Sequence, residues 1–430
     1  MSGPRLNPAQ IAAKCVEVEK SFLSVEPGFV QADLERTLEV GELARLAAAI
    51  RQAGVIAEER LKAISVATKI PYRQMRELTL PRIQKLGWGE LKRGPGGITT
   101  FVESMPPSGD ILSALGRYWE ELAPNDIDRA TVEGLSLLSR RPVVKDVLAS
   151  ELSQKPDVIE RALSYGTPVR YFGTFDSRAI GKPVAWTPLY WSRNEDDVRE
   201  FLSKQSEPGF DVLRRALTNV REYPGRPLDR LKPTIPSEGL LNGAIATGFL
   251  PSVQIKDRKQ IAHSYVFSPS PTFAGDEDSD VFEKARMIVA CLRHGQYDAE
   301  VTPIRYPSKL LRAIVNGTIG SHSYADVEYA MLVLHRICDL EEINYLGSKR
   351  YRPIFINTPE NLQAVSVAQQ LLGATGTDST SVSEPEVKGL LTTGLYSYSA
   401  EQRVTRAKSK IVAFNEFERM MDSIRGGAIR

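Results

Sequence analysis

Nine basic residues fall between Arg60 and Arg93 (Arg60, Lys62, Lys69, Arg73, Arg76, Arg82, Lys85, Lys92 and Arg93) against Glu77 and Glu90 alone, a local excess of +7 in a chain whose net charge is +2. Such a concentration suits a phosphate-facing surface, because cations that neutralise phosphates release the counterions condensed there. Other residue types able to do chemistry are sparse. The four histidines, His263, His294, His322 and His335, stand at no metal-ligand spacing from one another or from a cysteine. His322 lies beside serines and His335 three residues before Cys338, but proximity in sequence is weak support for a nucleophile scheme, and a structural or surface role suits each better. Cys15, Cys291 and Cys338 are widely spaced, which predicts small buried hydrophobes in a reducing compartment. There is no phosphate-binding G-x-x-x-x-G-K-[ST] loop, and the cluster Asp276, Glu277, Asp278 and Asp280 lacks the glycine and distal glutamate of a calcium loop, so it reads as a solvated linker. No catalytic residue, cofactor or metal is expected, and the chain reads as non-enzymatic.

At 430 residues the chain exceeds what one hydrophobic core usually organises, so about two to four domains are expected. Hydrophobic residues at 42% and charged residues at 25% argue against wholesale disorder. No apolar run approaches the roughly 18 residues needed to span a bilayer, and MSGPRLNPAQ lacks the apolar segment of a secretory signal, so the expectation is a cytoplasmic protein without membrane contact.

Recurring ribbons organise the chain. GWGEL, the turn KRGPGG and ITTFVESMPP, from Gly87 to Pro107, form two short β-type runs about a basic, glycine-rich turn, and the closing prolines cannot continue a ladder. Similar stretches run from Val169 to Trp191, Gly248 to Pro271 and Ile343 to Pro359, each closed by Pro, Ser or Asn after an aromatic-rich run. With Val102, Tyr190, Phe267 and Ile356 as ends, the intervals are 88, 77 and 89 residues.

Helical periodicity precedes each ribbon. Leu34 to Ala53 carries apolar residues at helical intervals before Gly54, Glu58 to Thr68 is a second helix, and Pro71 opens a third that ends at Gly87. Pro81 lacks an N–H and should kink or split that third helix near Glu77. Comparable helices are expected over Thr131–Ser139, Val143–Leu152 and Pro156–Tyr165, then over Asp196–Ser203 and Phe210–Glu222 before a proline-rich break from Pro224 to Pro236, and finally over Val281–His294, Ser308–Val315 and Tyr324–Leu340.

The order of helix, helix-turn-helix and β-wing, carried in the first unit by LKAISVATKI, PYRQMRELTLPRIQKLGW and ELKRGPGGITTFVE, resembles the winged-helix family. The resemblance implies a mainly α fold with small β-wings, a tandem array of winged-helix-like modules over residues 30–107, 108–194, 195–272 and 281–372. In DNA-binding members the second helix of the pair enters the major groove and the wing touches the backbone or minor groove. On this chain the matching groove-facing residues are Tyr72, Arg73, Gln74 and Arg76, whose Arg and Gln types can form paired bonds with guanine or adenine edges. Lys69, Lys92 and Arg93 would be phosphate contacts. The implied activity is duplex DNA binding, in a transcriptional regulator or the DNA-facing subunit of a larger complex; the alternative is a winged-helix scaffold for protein assembly. Basic residues recur in the later turns (Arg170, Arg178 and Lys182; Lys256, Arg258 and Lys259; Lys349, Arg350 and Arg352), while Tyr171, Phe172, Trp186, Tyr190, Trp191, Tyr265 and Phe267 suit ribbon cores better than base-stacking platforms.

The tail divides differently. Pro359 to Leu372 reads as helix, residues 373–386 as a small-polar linker, and residues 387–430 as a C-terminal helical segment with an apolar stripe from Val404 to Met421. That stripe could pack on its own chain, pair with a second copy or seat in a partner subunit.

Overall fold

The computed structural model describes residues 6–23, 32–51, 53–94, 99–106, 108–235, 237–257, 259–271, 278–299, 303–319, 332–345 and 348–373. The linker from 374 onward, the C-terminal segment 387–430 with its Val404–Met421 stripe, and His322 lie outside them. What is described is mainly α-helical, with antiparallel sheets of two or three strands.

Asn7 opens α1 (Pro8–Phe22) with a reciprocal cap: its side chain accepts from Gln10 N at 3.0 Å, while the Gln10 side chain accepts from Asn7 N at 3.0 Å. Helix α1 lies unusually close to two others. A Cβ at Gly41 of α2 (Glu35–Ile50) would fall 2.3 Å from Glu19 Cβ, and one at Gly116, in the later helix Ser108–Glu121, only 1.7 Å from the Pro8 carbonyl oxygen. Any larger residue at either position would push α1 out of its seat.

After α2 come β1 (Val55–Ile56), α3 (Glu58–Ala67), then α4 (Tyr72–Gln74), a π-helical turn (Met75–Thr79) and α5 (Leu80–Lys85), and the hairpin β2 (Gly89–Arg93) and β3 (Thr99–Glu103). The π turn is how the backbone accommodates Pro81. The ladder shifts to an i→i+5 bond, Leu80 N to Met75 O, just before the residue that cannot donate, so the helix widens instead of breaking. Sheet order is β1-β3-β2, with Leu91 facing Phe101 and Arg93 facing Thr99.

The same succession follows twice more. Beyond α6 (Ser108–Glu121), α7 (Asp126–Leu138), β4 (Val143–Val144), α8 (Lys145–Glu151), α9 (Pro156–Gly166), β5 (Gly173–Asp176) and β6 (Pro183–Trp186) give the sheet β4-β6-β5. Then α10 (Glu195–Ser203), α11 (Glu207–Glu222), β7 (Arg226–Pro227), α12 (Leu228–Leu231), α13 (Glu238–Ala246), β8 (Ser252–Lys256) and β9 (Ala262–Val266) give β7-β9-β8. The proline-rich stretch expected as a break thus contains a strand and a helix: Pro227 and its neighbours pair at the edge of the sheet, where a missing N–H is tolerated. The fourth region holds α14 (Asp278–Tyr297), α15 (Pro307–Val315), the hairpin β10 (Cys338–Tyr345) and β11 (Ser348–Phe355), and α16 (Pro359–Gly373). Two expectations are corrected here. Asp278 and Asp280 belong to the first turn of α14, not to a linker, and the helix predicted to reach Leu340 has ended by Arg336, whose positive φ of 51° turns the chain into β10.

Three hydrophobic clusters tie these pieces together. The first joins α1, α2 and α6 to the first unit through Leu43, Met75, Ile83, Trp88, Phe101 and Trp119. The second merges the next two units, with the Trp191 ring stacked on Phe249 at 4.9 Å. The third packs Tyr265 and Phe267, at the end of the third unit, against α14, α15 and α16. Tyr171, Phe172, Trp186, Tyr190 and Trp191 are all buried.

Candidate nucleic-acid interface

The basic segment is positioned from beneath by two carboxylates of α2. Glu42 accepts from Gln74 Nε2 at 2.7 Å and from Thr79 Oγ1 at 2.6 Å; Glu39, one turn earlier, accepts from Arg82 Nε at 3.1 Å and from Tyr118 OH at 2.8 Å. Burial and the Glu39 bond push the Tyr118 hydroxyl up to about 12, so it stays a neutral donor. Met75, Thr79, Leu80 and Ile83 fill the inward face of the helix, which leaves Arg73, Arg76, Glu77 and Lys85 facing outward.

Between α3 and α4 the chain turns at Lys69, whose φ of 51° reverses direction while Ile70 N bonds back to Ser65 O at 3.1 Å. Lys69 is exposed at this corner. At the start of α4 the Tyr72 ring has two cations over it, Lys62 Nζ 5.5 Å and the Arg76 guanidinium 5.9 Å from its centroid. Lys62 is itself paired with Glu58 at 3.0 Å, and Glu58 also accepts from Thr99 N at 3.2 Å, tying α3 to β3. Lys62 and that amide hold the Glu58 carboxyl below its ordinary value.

One anion sits between the two arginines. Glu77 accepts from Arg76 at 2.8 Å and Arg73 at 3.1 Å, and these hydrogen bonds, that of Arg76 foremost, hold its carboxyl below the usual range. The Arg73 side chain is 86% exposed, so this pair is a weak, solvent-screened one that a competing phosphate could displace. Lys92 pairs with Glu90 at 3.2 Å on β2. Among the described residues, Arg60, Lys69, Lys85 and Arg93 form no ion pair.

Of the seven residues singled out from sequence, five, Lys69, Arg73, Arg76, Lys92 and Arg93, stand with charges at the surface of one unit. The other two turn inward. Gln74 spends its amide on Glu42, and Tyr72 packs its half-buried ring against the first cluster, so reading a base with either would require giving up an existing contact. Sequence inspection missed Glu39 and Glu42 altogether, although Glu58/Lys62 and Arg73/Glu77 are legible as i,i+4 pairs.

In the later turns some basic residues are paired, whereas Arg178 and Lys256 are exposed and form no ion pair among the described residues. Arg170 pairs with Glu195, Lys182 with Asp146 at 3.4 Å, and Arg352 with Glu341; Arg258 lies outside the described residues. The pair of histidines on β9 and α14, of which only His294 is buried, belongs to a different part of the molecule. Among the described residues no helix is long and apolar enough to cross a membrane. The chain matches no protein-family model and no curated protein.

Proposed function

We propose that this chain is a tandem array of winged-helix-like units that binds duplex DNA through the first of them, as a transcriptional regulator or as the DNA-facing subunit of a larger complex. The observation that carries the reading is the outward set formed by Lys69 at the turn and Arg73, Arg76 and Lys85 on the helix after it, with Lys92 and Arg93 on the hairpin that follows. Helix-strand-helix-helix-hairpin succession with the first strand at the outer edge is the geometry in which such a helix enters the major groove and the hairpin meets the backbone. Arg73 and Arg76 would pair with base edges, and the remaining lysines and Arg93 with phosphates.

A salt titration of full-length protein against labelled duplex tests it. Affinity should fall steeply with salt, and Lys92→Ala with Arg93→Ala should weaken all sequences alike while flattening the log–log slope by about one unit per lost phosphate contact. An unchanged slope, or a loss restricted to one sequence, would contradict the phosphate role. A second reading, protein scaffolding, is favoured for the later units by one observation: α9 exposes Asp157 and Glu160, and α13 carries no basic residue at all.

A further inference from the structure

The fold brings together two histidines that are 31 residues apart in sequence and lie on different elements. His263 projects from β9; His294 and Asp298, four residues apart, stand on one face at the end of α14, where Asp298 N still bonds His294 O at 2.8 Å. We propose that His263, His294 and Asp298 form a binding site for a first-row divalent transition-metal ion, with zinc the principal candidate, clipping the third hairpin to α14.

Three features carry this. First, one ligand atom from each of the three residues lies within 4.8 Å of the other two. His263 Nδ1 is 3.4 Å from Asp298 Oδ1, about the edge of a tetrahedron whose bonds to the metal are ~2.1 Å. Second, the donors are oriented by an outer layer of the kind that metal-binding histidines use. Asp257 Oδ2 lies 3.3 Å from His263 Nε2, which fixes the ring and leaves Nδ1 to face Asp298. The fully buried Tyr265 donates to Asp298 Oδ2 at 2.6 Å and bonds His294 Nδ1 at 2.9 Å, holding ring and carboxylate together. Third, His294 is only 2% exposed, so its ring is held in place by the surrounding packing as well as by Tyr265.

Two imidazoles and one carboxylate without thiolate select borderline metals over magnesium or calcium, which take oxygen donors. Three protein ligands leave at least one coordination position open. The sequence contains no local spacing of the zinc-finger or HExxH kind, so only the fold reveals the set.

Untagged, chelator-treated full-length protein titrated with ZnCl2 against a fluorescent chelator, and with CoCl2 followed by visible absorption, tests the assignment. One equivalent of zinc should bind and raise the melting temperature, and cobalt should give the intense d–d bands of a low-coordinate site; MgCl2 should do neither. His263→Gln and Asp298→Asn should each lower zinc affinity at least 100-fold, and Asp257→Asn about 10-fold, the lower end of the effect for an outer-layer partner. His294→Ala removes a buried ring, so His263→Gln, on a partly exposed hairpin side chain, is the variant that keeps the test clean of unfolding, checked by circular dichroism. Absence of zinc uptake by the parent protein, or uptake unchanged in His263→Gln/Asp298→Asn, would overturn the site and leave a hydrogen-bonded polar cluster in its place.

Discussion

Helices α4–α5 and α9 occupy the same place in two successive units, and they differ in which charges they show to solvent. Inside, they are alike: Met75, Leu80 and Ile83 in one, Val158, Ile159, Ala162 and Leu163 in the other, turn apolar side chains to their units. Outside, the first presents Arg73, Arg76 and Lys85 with Glu77 alone against them, whereas the second presents Asp157 and Glu160, and its Arg161 is held by Asp33 at 2.6 Å. Repeated topology therefore supplies a frame, and the outward residues decide what it can contact. A surface that must meet phosphate cannot carry the second pattern, because carboxylates at the same positions repel the anion they would have to approach.

The largest expected effect breaks this contrast directly. Arg73→Ala with Arg76→Ala should weaken duplex binding by ~1–3 kcal/mol for each base contact removed, with less effect on random sequence. Arg161→Ala, the matching change on α9, should leave affinity where it was. Fluorescence anisotropy on both variants checks the pair; equal losses, or no loss in the first, would remove the distinction between the two units.

Next in size is the joint that holds the two units together. Asp128 of α7 accepts from Thr37 N at 3.1 Å and Thr37 Oγ1 at 2.6 Å with one oxygen and from Asn125 N at 3.3 Å with the other, while Trp119 Nε1 donates to the same Thr37 hydroxyl at 3.2 Å. Asp128→Ala orphans these buried donors and should cost about 2–3 kcal/mol in denaturant unfolding. Burial raises the Asp128 carboxyl above its ordinary 3.8 in spite of those bonds. The folded protein then holds the proton more tightly than the unfolded chain, so this group's contribution to stability increases as pH falls through its raised folded value and levels off below about 3.8. Relative to the non-titrating Asp128→Asn, the parent should gain stability on acidification across that window; a gap that narrows instead would reverse the assignment.

How much of this was legible beforehand depends on whether a residue's partner is near in sequence. Pro71, Gly87 and the glycine-rich turn mark the helix and hairpin of the first unit because they act through local backbone preference. The effect of Pro81 was legible as a disturbance near Glu77, and the backbone resolves it as a π turn over Met75–Thr79. Helix α1 went unread since Lys14, Glu17 and Glu19 mimic a solvent face. Their burial makes sense only with Arg45, which pairs with Glu19, and Tyr190, which donates to Glu17 at 2.9 Å and accepts from Lys14. Gln74 misled for the same reason: a polar helical residue near arginines looks outward until Glu42, 32 positions earlier, takes its amide. His263 and His294 likewise show no pattern in one dimension.

The smallest effect sharpens the comparison from the other side. Glu77 is the single carboxylate on the outward face of the first helix, and it shares its two oxygens between Arg73 and Arg76. For an incoming duplex it is both a competitor for those guanidinium groups and a like charge to the phosphates. Glu77→Gln removes the negative charge and nearly preserves the shape, so duplex affinity should rise by ~0.5–1 kcal/mol, about two- to fivefold, and the gain should shrink as salt is raised. Folding stability should change by no more than ~0.5 kcal/mol, because exposed pairs of this kind contribute little. Placing the reverse charge pattern on the same helix, Arg73→Glu, should instead abolish binding at moderate salt and make the first unit behave like the second. Parallel anisotropy titrations of the two variants at two salt concentrations decide the matter: a Glu77→Gln protein that binds no better than the parent would mean that this face does not meet the DNA.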